Sequence, residues 1–210
     1  MNIIDLTQLI EENMPVFPGT KGPNITQTNT LEDNGFVEHL LAMYTHTGTH
    51  MDAPAHMIEG GKSLDQYSAD SFIGKAVKID FLDKPKGEIG VEDLLKYKDQ
   101  LETADFLIIH TGWSEYWGTS KYFEDFPALG VEAAQWLMNY NLKGIGVDAI
   151  SVDAMTSIGF PIHNTFMKKN FLIIENLTNL LEVRGEFIFS CLPLKVVDSD
   201  GSPIRAIAMI

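Results

Sequence analysis

The chain has 210 residues, 45% hydrophobic and 21% charged, which fits one globular domain over 1–210 and excludes a disordered or collagen-like protein. Its 29 acidic side chains outnumber 15 basic ones, and the formal charge of −14 speaks against binding to nucleic-acid backbones or anionic membrane surfaces. No apolar run approaches the roughly 20 residues that span a bilayer, Met1–Ile10 lacks the basic start of a signal peptide, and a cytoplasmic protein is expected.

A strand is expected near Asn2–Ile10, with Pro15 and Pro18 ending any regular element. Phe36–Thr45 is apolar and runs into a stretch of histidine, threonine and glycine. In Ala76–Leu82, Val77, Ile79 and Phe81 alternate with Lys78 and Asp80, the pattern of a half-buried strand. Val91–Leu101 has the spacing of an amphipathic helix, Ala104–His110 reads as a buried strand, and Val131–Leu142 gives the best helical spacing. Gly144–Ala149 and Phe171–Glu175 are short apolar strands. A helix is expected over Thr165–Lys169, with Asn164 as its N-cap and His163 in the loop before it. Phe187–Val197 and Pro203–Ile210 flank Asp198-Ser199-Asp200-Gly201, a hairpin signal. Strands and helices spread along the whole chain imply an α/β or α+β class with a mixed sheet.

The chemistry is concentrated in His46-Thr47-Gly48-Thr49-His50-Met51-Asp52-Ala53-Pro54-Ala55-His56, which holds three of the six histidines. Gly48 and the β-branched Thr47 and Thr49 oppose a helix there, and Pro54 biases Ala53 toward extended geometry. An extended segment sends His50 and Asp52 to the same side. Neutral imidazoles and a carboxylate converging on a point suit a divalent cation. Taken singly, each histidine is more readily a structural residue than a ligand, and His39 is left with that role. Two imidazoles and one carboxylate leave a coordination shell incomplete, so more distant partners are required. Glu175, ending an apolar strand, is one candidate if it is not simply solvated. His110 and Asp148 also follow apolar runs, which gathers polar groups at one edge of a sheet. Cys191 is the sole cysteine, so an intramolecular disulfide and a cysteine metal cluster are both excluded. There is no G-x-S-x-G elbow, Walker A sequence or G-x-G-x-x-G.

His46–His56 fits H-x-G-T-H-x-D-x-P-x-H at every position. That pattern resembles the signature of the cyclase family of metal-dependent hydrolases, which includes bacterial kynurenine formamidases and isatin hydrolases. Met14–Gly19, Thr111-Gly112-Trp113, Gly146–Asp153, and His163 followed by Glu175 resemble further family segments in the expected order. The resemblance implies a swivelling β/β/α-type fold with a mixed sheet and flanking helices, assembled as a homodimer or higher homo-oligomer. It implies one or two divalent metals, zinc most often and manganese in some members. His46, His50 and Asp52 would hold the first, and Asp52 would bridge to a second held with His163 and Glu175. His56 would be the acid/base residue, or alternatively a further ligand. The implied activity is cleavage of a small aryl formamide, N-formylkynurenine-like, or a cyclic amide by a metal-activated hydroxide. The alternative is a metal-binding protein of the same fold without turnover. Phe17 stands where kynurenine-directed members tend to carry tryptophan. It either stacks on an aromatic substrate without an indole N–H or packs its own loop. Trp113, Tyr116, Trp117, Tyr122 and Phe123 form an aromatic segment suited to a pocket or an interface.

Overall fold

The computed structural model describes residues 1–84 and 86–210. In chain order the strands are β1 (Ile3–Asp5), β2 (Asn24–Asn29), β3 (Glu38–Ala42), β4 (His50–Asp52), β5 (Ile73–Asp80), β6 (Glu88–Ile89) and β7 (Phe106–His110). They continue with β8 (Ala128–Leu129), β9 (Gly144–Val147), β10 (Leu172–Glu175), β11 (Phe187–Ser190), β12 (Gly201–Pro203) and β13 (Ile207–Met209). Nine of them form one sheet in the order β1-β13-β11-β5-β7-β9-β10-β4-β12, with β2–β3 and β6–β8 as separate pairs. The centre, β5 through β10, is parallel, and both flanks are antiparallel. This is the mixed-sheet α/β architecture expected from the sequence.

The two-residue period of the central strands divides the core into two. Val77, Ile79, Leu107, Ile109, Ile145 and Ile173 face a helical layer, where they meet Ala133, Ala134 and Leu137 of the helix Val131–Leu137 and Phe166 of the helix Pro161–Met167. Ala76, Phe106, Ile108, Leu172 and Ile174 point the other way. There they meet side chains from the flanking strands themselves, including Met51, Phe187, Phe189 and Ala208. The antiparallel flanks thus cover the face that carries no helix layer, and β4 is drawn against β10.

Several local expectations are corrected. Val91–Leu101 is not one helix but Val91–Leu94, a 3₁₀ turn over Leu95–Tyr97, and Lys98–Leu101. Leu94 and Leu101 are both buried, as their seven-residue spacing allows, but Leu95 faces out instead of joining them. The helix from Val131 stops at Leu137, ahead of Asn139-Tyr140-Asn141, which favour it poorly. Asn164 is no N-cap: the helix runs Pro161–Met167, and the Asn164 amide donates back to the carbonyls of Gly159 and Phe160. His163 therefore lies in the first turn of that helix, not in a loop. The strands β11 and β13 do pair antiparallel, and the Pro193–Ile204 bridge keeps their register. Asp198–Gly201 is nevertheless not a tight hairpin turn. The chain leaves the pair and sends β12 across to β4 before returning.

Candidate metal centre

The loop into β4 is shaped by Gly48, whose φ of +65° suits glycine and where a Cβ would stand 3.3 Å from the Ile10 side chain. In β4 the extended backbone turns His50 and Asp52 to one side and buries Met51 on the other. Across the antiparallel pair with β10, Glu175 lies directly opposite His50, and cross-strand partners share a face. Ala53 is extended, as Pro54 demands, and Pro54–His56 forms a 3₁₀ turn that carries His56 back over the loop.

These elements bring together all five proposed ligands. Asp52 Oδ1 is 2.6 Å from His46 Nδ1 and 3.2 Å from His50 Nε2, while Asp52 Oδ2 is 3.5 Å from His163 Nε2. Glu175 completes the cluster, with Oε2 3.4 Å from His50 Nε2 and Oε1 3.4 Å from His163 Nε2. Asp52 and Glu175 are 1% and 5% exposed. Their cavity of about 290 Å³ is lined by no lysine or arginine among the described residues. A larger cleft, about 610 Å³, opens elsewhere beside Lys86, Asp125 and Phe126 and contains no histidine. Two buried carboxylates with no basic side chain to neutralise them require a cation or protonated imidazoles.

Each imidazole is tied from behind. His163 Nδ1 lies 2.6 Å from Asp153 Oδ2, and Asp153 also accepts the backbone N–H groups of Ile162 and His163. His50 Nδ1 lies 2.9 Å from the Gly48 carbonyl, which also accepts the side-chain amide of Asn176. His46 Nε2 lies 3.0 Å from Asp200 Oδ2. Hydrogen bonds to the outer nitrogen fix the tautomer and leave the inner one facing the carboxylates, the usual support of metal-binding histidine. The donor set therefore fits a divalent cation. Without one, burial pushes His50 down, but Asp52 and Glu175 outweigh it and pull its pKa up to about 10. His46 and His163 are raised in the same way, against burial, and Asp52 is held well below the usual carboxylate range by the histidines around it. His56 differs: burial leads, and its pKa is lowered despite the pull of Asp52.

The Cyclase family model matches residues 4–154, well over half of the chain. The chain belongs to the cyclase family of metal-dependent hydrolases. A kynurenine formamidase of Geobacillus thermodenitrificans is 34% identical over 97% of this chain and 95% of its own length. A predicted metal-dependent hydrolase from Bacillus stearothermophilus superposes with a TM-score of 0.77 at 29% identity, covering 99% of this chain and 97% of that one. An isatin hydrolase from Labrenzia aggregata, solved with benzyl benzoate, gives 0.91 at 24% identity over 100% and 93% of the two chains, a likeness of fold.

Of the other residues singled out from sequence, the cyclase fold brings His56 and Phe17 to the cavity wall, together with Val16, Met57, Ile150 and Phe160. It does not bring His110 there. His110 pairs with Asp80 at 2.6 Å, and Asp148 instead holds the Thr111 backbone and hydroxyl, so the polar strand ends do not meet at one site. His39 sits on exposed β3. The aromatic segment does not line the cavity: Trp113 and Tyr122 are buried in a separate cluster with Phe126, Ala149 and Ile150, and Trp117 and Phe123 pack against it. It touches the site from behind, through Ile150 and Phe17, which the cluster and the cavity wall share, and through the Tyr122 hydroxyl, which donates to Asn176. Asp153, Asn176 and Asp200 were not anticipated as site residues. The Ser151–Asp153 stretch was visible as a family segment, but nothing in the sequence links Asp200 to residue 46.

Proposed function

We propose that this protein hydrolyses the amide bond of a small aryl formamide, N-formylkynurenine-like, or of a cyclic aryl amide. The observation that carries this reading is the double address of Asp52: Oδ1 faces His46 and His50, and Oδ2 faces His163. Such a carboxylate suits two adjacent cations, one held with His46 and His50, the other with His163 and Glu175. Zinc is the first expectation for these donors and manganese the second. When bound, a divalent cation supplies Lewis acidity, acidifying water and polarising a carbonyl oxygen.

The chain's own groups do the rest. His56 is neutral near pH 7 because burial lowers its pKa, so it can accept a proton from the attacking water. It then delivers that proton to the nitrogen as the C–N bond breaks. Phe17 and Phe160, with ring centroids 6.4 Å apart, offer apolar surface to an aromatic substrate in a cavity of about 290 Å³. The named activities of the kynurenine formamidase and isatin hydrolase relatives support the substrate class. A cytoplasmic homodimer or larger homo-oligomer completes the reading. The β2–β3 hairpin supports assembly, since Leu31, Phe36, Leu40 and Leu41 are all at least half exposed on it. The test is hydrolysis of N-formylkynurenine, isatin and related amides by zinc- or manganese-loaded protein and by His56→Ala. Turnover lost in the variant with metal content intact is expected. Silence of the fully loaded wild type across aryl formamides and cyclic amides would overturn the assignment in favour of a metal-binding protein without turnover.

A further inference from the structure

We propose that Asp200, on the strand-crossing segment that leads into β12, is the positioning residue that fixes the ring of His56. This rests on the reading of His56 as the proton carrier. Asp200 is itself well anchored: its backbone carbonyl accepts the Ala53 N–H at 2.8 Å, and Oδ1 accepts the Thr45 hydroxyl at 3.0 Å. That leaves Oδ2 to face two imidazoles, His46 Nε2 at 3.0 Å and His56 Nδ1 at 3.3 Å. The two rings lie against each other, tilted by 38°, with centroids 3.9 Å apart. One carboxylate oxygen thus holds the outer edge of a proposed metal ligand and of the proposed acid/base group.

A carboxylate accepts hydrogen bonds and cannot donate them. Its partner nitrogen on His56 must therefore carry the proton, which leaves the lone pair on Nε2. His56 Nε2 has no hydrogen-bond partner among the described residues, and His56 lines the cavity. Asp200 would thus supply to His56 what a buried aspartate supplies to the histidine of a hydrolase triad, namely a fixed tautomer and ring plane. Next to it, Gly201 keeps the same corner open: a Cβ there would stand 2.6 Å from His46 Cε1. A catalytic orientation built on residue 56 is in this way completed by a segment 144 residues later.

The test compares zinc-loaded wild type with Asp200→Asn, Asp200→Glu and His56→Ala. Metal content, kcat and KM on an aryl formamide, and imidazole 15N–1H spectra would be measured, with the His56 resonance assigned by its loss in His56→Ala. Asp200→Asn also removes the partner of His46 Nε2, so weaker zinc affinity is expected. At saturating zinc the centre should fill, while the single Nδ1–H tautomer of His56 is lost and kcat falls about 10- to 100-fold with little change in KM. Asp200→Glu should recover part of kcat. Adding Asp200→Asn to His56→Ala should cost nothing more. Failure of Asp200→Asn to fill with zinc even at saturating metal would overturn the proposal by making Asp200 essential to holding the metal, and an unchanged His56 tautomer would overturn it directly. If the wild type is inactive but the tautomer still changes, the substrate assignment fails while the Asp200–His56 tie stands.

Discussion

Loading a cation into this centre should expel protons, and the number follows from the geometry. In metal-free protein His50 has a pKa of about 10, because Asp52 and Glu175 outweigh its burial, and His46 and His163 are raised as well. Only a neutral imidazole binds metal. At pH 7 the His50 proton alone therefore opposes loading by three pH units, about 4 kcal/mol at 1.4 kcal/mol per unit, or roughly 1000-fold in apparent affinity. Affinity should rise about tenfold per pH unit for each proton released, with at least one from His50 and up to three when His46 and His163 contribute. The stability of the metal-free protein runs the other way. A raised histidine stabilises the fold fully below its unfolded value of 6.5, and that contribution fades as pH rises through about 10. Calorimetric zinc titrations in buffers of different ionisation enthalpy, at pH 7 and 8, count the protons. Zero release with flat affinity would refute the argument, since zinc would then be bound somewhere other than these imidazoles.

Three further outcomes are expected. Asp153→Asn removes the partner of His163 Nδ1 and should weaken metal binding by about 10- to 100-fold, read by competition with a chromophoric chelator. Gly201→Ala places a methyl against His46 and should lower both metal affinity and folding stability, the latter by about 1–3 kcal/mol in a denaturant series. Leu40→Asp with Leu41→Asp puts charge on both faces of the β2–β3 hairpin and should convert the proposed oligomer to monomers in sedimentation, leaving the metal centre loaded.

The part of the site carried by one short segment was legible. His46, His50, Asp52 and His56 lie within eleven residues, and the glycine, β-branched residues and proline among them force the extended path that aims His50 and Asp52 together. Glu175 was legible as a charge ending an apolar strand, but its place opposite His50 depends on the β4–β10 pairing, a long-range event. Asp200 was hidden for the same reason. Asp198–Gly201 has the composition of a tight turn, yet tertiary pairing of β12 with β4 overrides that local preference. Asn164 shows the same conflict at a helix start, since Pro161 at the first helical position sets the boundary four residues earlier. The aromatic segment misled differently: residues that suit a ligand pocket also suit a core, and Trp113 and Tyr122 are consumed by packing.

The central claim is that the His46–Asp52 and His163–Glu175 groups form a metal centre that cleaves amides. Its most direct test is activity against added metal equivalents in chelated protein, for wild type and Asp52→Asn. The account predicts that wild-type hydrolysis of an aryl formamide or cyclic amide is absent at the start and rises to a plateau at one or two equivalents. In Asp52→Asn, which weakens the carboxylate shared by both groups, it should stay near zero. Full hydrolysis by metal-free wild type, or a variant that titrates like the wild type, would contradict it.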